Sequence, residues 1–357
     1  MTTTVKLRNL KICGLLLISI MFVGISLSSV KSSLDSNVTI ASSGMINTNS
    51  GNTDYPSLAI IMGFSGQAIS GNPLSSNLTG VCNTLKNSAV KFALILLGYW
   101  QMSGGTVEIA DGSGNGGSYA NDLSASFYQN VATQISAAGV TPIALVQDGY
   151  TYDSGAFAEM NVGSTYYSQY EAIIQTIMNL GYGGFTDDME SWVGTSFSAE
   201  AAFENALTTY LHTGSNFANG QPRLSMPTFT TYYWGEECLS STPPSSSIDY
   251  ALIQYYQIGQ SSATMWWQWD FGTYSGYTFT VPCPIILLGS TESGLISGSY
   301  GTVASQIPWF DNMIQTYAHT NLCGFGMYHY EDLSSADWAA WTPWIESTLP
   351  SMGVPPA

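Results

Sequence analysis

The stretch Gly181-Tyr-Gly-Gly-Phe-Thr-Asp-Asp-Met-Glu190-Ser-Trp192 places three carboxylates within four residues at the end of an apparent strand. In an extended chain alternate side chains share a face, so Thr186, Asp188 and Glu190 point one way and Asp187 points the other. Two acids on one wall repel each other when both are ionised, which raises at least one pKa and supplies a proton donor near neutral pH or below. The stretch therefore predicts a strand that ends in a catalytic acid.

Short apolar runs of strand type recur from Tyr55 onward, and most are followed by a segment in which apolar residues have helical spacing. The predicted strands are Leu58 to Gly63, Val90 to Gly98, Pro142 to Gln147, Gly184 to Glu190, Arg223 to Thr228, Tyr250 to Tyr256, Ile285 to Gly289 and Gly324 to Tyr330. The predicted helices are Ser124 to Ala138, Tyr167 to Leu180, Ala199 to His212, Thr302 to Thr320 and Ser335 to Thr348. Eight strands that alternate with helices predict an α/β fold of the (β/α)8 barrel type, with functional groups at the C-terminal ends of the strands.

Two stretches do not fit this alternation. Gly104 to Gly117 reads as a glycine-rich loop, and Ser262 to Pro282 is rich in aromatic residues without a clean helical pattern. No repeat of fixed period is present in the sequence, which argues against a solenoid.

The N-terminus has the pattern of an export signal. Three basic residues precede a mainly apolar run from Ile12 to Leu27, which falls short of the ~20 residues that span a bilayer. We therefore expect a signal peptide at 1–31, with an uncleaved anchor as the alternative, then a Ser/Thr/Asn-rich flexible spacer at 32–54 and the barrel domain at 55–357. The protein is expected to be secreted or attached to the cell surface, without stable membrane insertion after cleavage.

The charge balance is strongly acidic. The chain has 24 acidic residues against 7 Lys and Arg, and beyond Lys31 the basic residues are Lys86, Lys91 and Arg223. Nucleic acids and anionic membranes are poor partners for such a surface. One hypothesis is adaptation to acid surroundings, because few positive charges remain to repel one another once the carboxylates are protonated. The alternative is an ordinary secreted protein with a polar, uncharged surface.

The cysteine pattern favours disulfides over a metal site. Cys13 lies in the expected signal, which leaves Cys82, Cys238, Cys283 and Cys323, and four cysteines allow three pairings. No CxxC spacing is present and the three histidines are scattered. We expect no metal and no cofactor.

The sixth predicted strand and several loop segments indicate a carbohydrate partner. Gln254 and Tyr256 share a face at the end of the strand, and an amide and a phenol there suit recognition of an amide or a sugar hydroxyl. Aromatic residues follow other predicted strands, at Tyr99 and Trp100, Tyr232 to Trp234, Trp266, Trp267 and Trp269, and Tyr328 and Tyr330. Flat rings at a cleft stack against sugar faces, so the predicted substrate is a polysaccharide or oligosaccharide.

Taken in order, these segments resemble the family-18 glycoside hydrolases, in particular the class III chitinases and related lysozymes. Gly183 to Glu190 aligns with that family's fourth-strand motif Asp-Gly-Ile-Asp-x-Asp-x-Glu. Ile253 to Gln257 is similar to its sixth-strand Val-Gln-Phe-Tyr-Asn. Leu288 to Tyr300 is similar to its seventh-strand Leu-Gly, Glu-containing loop and Gly-Ser-Gly-Tyr. Gly324 to Tyr328 is similar to its eighth-strand Gly-Val-Met-Leu-Trp.

The resemblance implies a retaining hydrolase of β-linked N-acetylhexosamine polymers in which the substrate's own acetamide is the nucleophile. It implies Glu190 as general acid/base, Asp188 as the group that orients the acetamide and balances its charge, and Tyr256 as hydrogen-bond donor to the acetamide carbonyl. The further substrate-binding residues predicted are Gln254, Thr186, Tyr328, Trp100, Trp234 and Glu292. A bridge flanking the sixth strand in the family implies a Cys238–Cys283 disulfide, which leaves Cys82 for Cys323.

Four features depart from the family pattern. Thr186 replaces an Asp that shares a proton with the next acid, Gly183 replaces the leading Asp, and Tyr328 stands where a Trp is expected. The family's third-strand Ser-x-Gly-Gly is not evident in Ala144 to Gly149. Two alternatives follow. One is a retaining glycosidase that uses Glu190 and Glu292 on a non-acetylated glycan, with carboxyl groups ~5 Å apart. The other is a non-catalytic carbohydrate-binding or cell-envelope protein.

Overall fold

The computed structural model describes residues 57–62, 73–103, 105–110, 125–148, 162–189, 197–230, 247–255, 260–271, 273–274, 277–278, 283–291, 301–319, 321–328 and 330–354. Within these ranges the strands are β1 (Ser57–Met62), β2 (Phe92–Ser103), β3 (Thr106–Ala110), β4 (Thr141–Asp148), β5 (Gly184–Met189), β6 (Leu224–Ser225), β7 (Thr228–Thr230), β8 (Ala251–Gln254), β9 (Thr273–Tyr274), β10 (Tyr277–Thr278), β11 (Ile285–Ser290) and β12 (Leu322–Tyr328).

The helices of the same ranges are α1 (Pro73–Ser76), α2 (Leu78–Lys86), α3 (Ala125–Ala137), α4 (Tyr167–Met178), α5 (Phe197–His212), α6 (Gln260–Phe271), α7 (Val303–Thr316), α8 (Ser335–Pro343) and α9 (Leu349–Ser351). Short 3-10 turns cover Gly214–Asn216 and Tyr330–Asp332, and a π-helical turn covers Trp344–Thr348.

Parallel strands form a closed ring. In spatial order the ring runs β1, β12, β11, β8, β7, β5, β4 and β2, and β1 pairs with β12 on one side and with β2 on the other. Each expected strand segment contributes to this ring, and helices separate most consecutive strands along the chain. The predicted (β/α)8 barrel is confirmed.

Most ring strands are mainly apolar because both of their faces are covered, whereas β5 carries Thr186, Asp187 and Asp188. All residues of β8 and of β11, which reads Ile-Ile-Leu-Leu-Gly-Ser, are buried. Parallel strands with side chains filling the barrel on one face and helices packed on the other read as continuous hydrophobic runs rather than as alternating ones. Such strands are easy to find in a sequence, although their inner and outer faces are not.

The fifth ring position is split into two short strands. β6 pairs with the beginning of β5 and β7 pairs with its end. Between them Met226 donates its amide to Phe185 O at 3.0 Å, whereas Pro227 has no amide to donate and only accepts, from Leu252 N at 2.9 Å. The proline therefore interrupts the backbone hydrogen bonds between β5 and this position of the ring, but the ring continues through β7.

Both irregular stretches contain regular structure that the sequence reading missed. Within the expected loop at Gly104 to Gly117, β3 forms an antiparallel hairpin with the end of β2. The aromatic stretch contains helix α6 and the short β9–β10 hairpin. The last expected helix is α-helical only to Pro343 and continues as a π-helical turn. β3 and β10 each pair with the strand that directly precedes them in the chain.

The expected signal peptide and spacer lie outside the described residues. Among the helices that are described, none is both long enough and apolar enough to cross a membrane.

One ion pair ties α5 to the start of β8. His212 Nε2 lies 2.8 Å from Asp249 Oδ2, and the same carboxylate oxygen accepts a hydrogen bond from Ser225 N at 2.8 Å. The hydrogen bond to Asp249 raises the pKa of His212 above its ordinary value of 6.5, the carboxylate charge adds to this, and partial burial opposes it. The pair therefore fastens the helix to the wall most strongly when His212 is protonated.

We expect this pair to make stability depend on pH. Because the pKa of His212 is raised on folding, its stabilisation is fully present below about pH 6.5 and is lost as the pH rises through the folded-state pKa. The melting temperature of the parent should exceed that of His212→Gln at pH 5 to 6, and the difference should shrink above pH 8. His319→Gln is the control, since His319 Nδ1 lies beside the carbonyl of Tyr317 rather than a carboxylate. A difference that grows with pH would contradict the assignment.

Candidate active site

Polar side chains converge at the C-terminal ends of β4, β5 and β7. The parallel registers align Gln147 with Asp188 and Asp188 with Thr228. Two glycines let β5 sit tightly in the wall: a Cβ on Gly183 would lie 2.4 Å from Thr141 Cγ2, and one on Gly184 would lie 2.7 Å from Leu224 Cβ. A side chain at position 183 would therefore clash with the neighbouring strand, which explains the glycine there.

Asp188 is held by a neutral amide across the barrel interior. Gln254 Nε2 donates to Asp188 Oδ1 at 2.7 Å, and both side chains are buried. The two residues lie on strands separated by β7, so their contact places both on the inner face. An amide donor orients the carboxylate without cancelling its charge, which leaves the negative charge available to stabilise a developing positive charge. Gln254, predicted to bind substrate, therefore has Asp188 as a direct partner.

Below Asp188 the wall carries a pair of hydroxyl groups instead of a second acid. Thr186 Oγ1 and Thr228 Oγ1 are hydrogen-bonded at 2.8 Å, and both side chains are 0% exposed. Thr186 was predicted to contact substrate. In the structure its hydroxyl is hydrogen-bonded to Thr228 and has no exposed surface. Thr186 therefore packs within the barrel wall beneath the site.

The structure also answers how Asp187 is accommodated on the outer face. Trp100 Nε1 donates to Asp187 Oδ1 at 3.1 Å, and the two side chains are fully buried. A bulge, a helix cap or a register shift had each remained possible for Asp187. None is needed in β5, because a hydrogen-bond donor on β2 meets the carboxylate.

The same contact corrects the expectation for Trp100. Trp100 was expected to offer a flat ring to a sugar at the cleft, but its side chain is 0% exposed and packs in the core. A register shift between Leu96 and Gly98 changes the face on which later residues of β2 lie. The residue is therefore a core residue on the helix side of the wall.

Tyr328 ends β12, in register with Ser290 of β11 and with Ile61 of β1. It is partly exposed, as a residue at the rim of a barrel would be. The remaining predicted site residues, Glu190, Tyr256, Trp234 and Glu292, lie outside the described residues, and their roles stay predictions.

The three described cysteines are free thiols, so the predicted Cys82–Cys323 disulfide is not formed in this structure. Cys323 is buried in β12, where its Sγ donates to Ile285 O at 3.2 Å, while Cys82 is half-buried on α2. Burial raises the pKa of Cys283 to about 12 and that of Cys323 well above its ordinary range. Cys283 is likewise free; its predicted partner Cys238 lies outside the described residues.

Three features of the site were missed at the sequence level. They are the Trp100–Asp187 bond, the pairing of Thr228 with Thr186, and the alignment of Gln147 with Asp188. Only the register between strands reveals them, because no spacing within one strand brings these residues together. Among the described residues no cluster of three or more His, Cys, Asp or Glu side chains could hold a metal ion.

Comparison with known proteins supports the architecture. The chain is similar to a GH18 chitinase from Pseudoalteromonas aurantia, with a TM-score of 0.53 and 12% sequence identity over 80% of this chain and 98% of that chain. It is also similar to an endo-1,4-beta-mannanase from Rhizomucor miehei, with a TM-score of 0.50 and 12% identity over 85% of this chain and 96% of that chain. No family model matches the chain, and no curated protein matches it significantly. The shared feature is the fold, a (β/α)8 barrel of the type that glycosidases use.

The hydroxyl pair gives a double-variant prediction. Thr186→Val should lower the free energy of unfolding by ~1 to 3 kcal/mol, because it leaves the buried Thr228 hydroxyl without its partner. Thr186→Val combined with Thr228→Val should recover much of that loss, since both polar groups are then replaced by apolar groups of the same shape. Urea denaturation of the two single variants and the double variant measures this. A double variant that loses the sum of the single losses would refute the pairing.

Proposed function

We propose that the protein is an exported retaining glycosidase that hydrolyses β-linked N-acetylhexosamine polymers with assistance from the substrate's acetamide. The observation that carries the proposal is Asp188, an ionisable group on the inner wall of a barrel, aimed by the Gln254 amide at the C-terminal ends of the strands. This is the end of a (β/α)8 barrel at which enzymes of this fold carry out their chemistry. The order of motifs along the chain supplies the remaining residues.

In the proposed reaction Glu190 donates a proton to the glycosidic oxygen as the bond from that oxygen to C1 breaks. The acetamide carbonyl oxygen attacks C1 and forms a cyclic, positively charged intermediate, whose charge Asp188 stabilises. Tyr256 donates a hydrogen bond to the acetamide carbonyl. Glu190 then removes a proton from water, which opens the intermediate with retained configuration.

Asp188 is the one acid on the described part of β5's inner face, and its surroundings indicate its role in the reaction. Its partner is a neutral amide, and the position two residues before it holds the Thr186 hydroxyl, bound to Thr228. Asp188 therefore has no acidic neighbour at that position with which to share a proton. We infer that it acts as a charged stabiliser throughout the reaction rather than alternating between two acidic partners.

The same observation favours a second candidate function. Without an acid at position 186, the acetamide-dependent route lacks one of its usual groups, and a retaining mechanism with Glu190 and Glu292 on a non-acetylated glycan becomes the competitor. The two functions differ in substrate: one requires the acetamide and the other does not.

The test is hydrolysis of fluorogenic chitooligosaccharides and of a matched series without acetamides, from pH 2 to 8. We expect the parent to cleave only the acetylated series, and Glu190→Gln to lose ~10²- to 10⁴-fold in kcat because the proton donor is removed. Glu346→Gln, which alters an exposed acid on the π-helical turn, is the control and should match the parent. Cleavage of only the other series would favour the second function. Binding without cleavage would indicate a carbohydrate-binding protein.

A further inference from the structure

A buried hydrogen bond lies directly behind the strand that carries Asp188. It joins Trp100 of β2 to Asp187 of β5, residues separated by 87 positions in the chain, and it crosses over the intervening strand β4. The indole is 0% exposed and the carboxylate is 1% exposed. Because the acceptor is a carboxylate, the bond is of the stronger, charge-assisted kind when Asp187 is ionised.

A β-bulge is what brings the indole to that side of the wall. Before the bulge, Leu96 is in register with Leu145, which is in register with Thr186 on the inner face. After it, Gly98 is in register with Val146, which is in register with Asp187 on the outer face. Strict alternation from Leu96 would have turned residue 100 inward, so the extra residue re-aims the tryptophan.

Gly98 makes the bulge possible. Its φ of 150° lies in a region that residues with a Cβ rarely adopt, so the sequence has a glycine where the change of face occurs. The re-aimed ring is then clamped by aromatic neighbours. Tyr170 of α4 meets it edge-on with ring centroids 4.7 Å apart, and Phe185 of β5 lies 6.3 Å away.

We propose that Trp100 and Asp187 are a positioning pair for the active site, which holds the end of β5 in the register that aims Asp188 at Gln254. The kinetic part of this inference rests on the proposed function. Asp187 and Asp188 are consecutive and face opposite sides, so a shift or rotation of the backbone at one moves the other. The wall thus fixes Asp188 from both sides, through its own bond to Gln254 and through its neighbour's bond to Trp100.

The test compares two buried indoles that each donate a hydrogen bond to a carboxylate. Trp100→Phe keeps an aromatic ring but removes the donor to Asp187. Trp344→Phe removes a buried indole whose Nε1 donates to Asp311 Oδ1 at 2.7 Å, between the π-helical turn and α7. Both variants should lose melting temperature, because each leaves a carboxylate without its indole donor.

Only Trp100→Phe should change the chemistry. We expect its kcat on chitooligosaccharide to fall by on the order of ten- to a hundredfold with KM little changed, because a small displacement of a catalytic group slows the reacting step more than it weakens binding. Asp187→Asn, which keeps an oxygen acceptor for the indole, should retain most of the parent kcat. Asp187→Leu should behave like Trp100→Phe. Equal kcat values for Trp100→Phe and Trp344→Phe would reduce the pair to core packing and overturn the proposal.

A second readout does not depend on activity. Hydrogen–deuterium exchange of the backbone amides of β5 should accelerate in Trp100→Phe and in Asp187→Leu, but not in Trp344→Phe. If the parent cleaves no glycan, the proposed function fails and exchange alone decides whether the pair holds β5. Exchange in β5 that is the same in both tryptophan variants would overturn the positioning pair even in an active enzyme.

Discussion

The pairing of β1 with both β12 and β2 closes the wall on which the rest of this structure depends. A closed parallel ring has no free edge, and every ring strand has one face toward the filled interior and the other toward helices. Closure also gathers the C-terminal ends of all ring strands around one mouth. Asp188 and Gln254, 66 residues apart in the chain, become hydrogen-bonded neighbours for this reason.

A second constraint is the scarcity of cations. With three Lys and Arg residues beyond Lys31, most carboxylates must find other partners. The structure supplies neutral donors: Trp100 for Asp187, Gln254 for Asp188, Tyr255 for Asp270, Trp344 for Asp311, and Ser334 with the Val303 amide for Asp337. Such bonds orient a carboxyl group whether or not a counter-ion is near, and salt screens them less than it screens ion pairs. Among the described residues His212 and Asp249 form the one ion pair.

The local sequence predicted those features that depend on residues close together in the chain, and it missed those that depend on contacts between distant segments. The helix from Tyr167 was recognisable because its apolar residues recur with helical spacing, and strands such as β11 were recognisable as short continuous apolar runs. Trp100 was expected in a loop after a strand that ends at Gly98, but β2 continues to Ser103 and the bulge between Leu96 and Gly98 turns the indole to the buried outer face. Nothing in the local pattern marks that bulge except Gly98. The Cys82–Cys323 pairing failed similarly: it assumed a contact between elements, whereas the Cys323 thiol bonds to a carbonyl of the adjacent strand.

The sequence by itself determined the eight-strand barrel, the acidic character of the chain and the inward face of Asp188, because hydrophobic period, composition and strand alternation are properties of short stretches. Only the tertiary structure decided which group each polar side chain of β5 contacts: an amide for Asp188, an indole for Asp187, and the Thr228 hydroxyl for Thr186. Hydrogen-bond partners on different strands depend on register, and register is settled when the whole ring packs and closes.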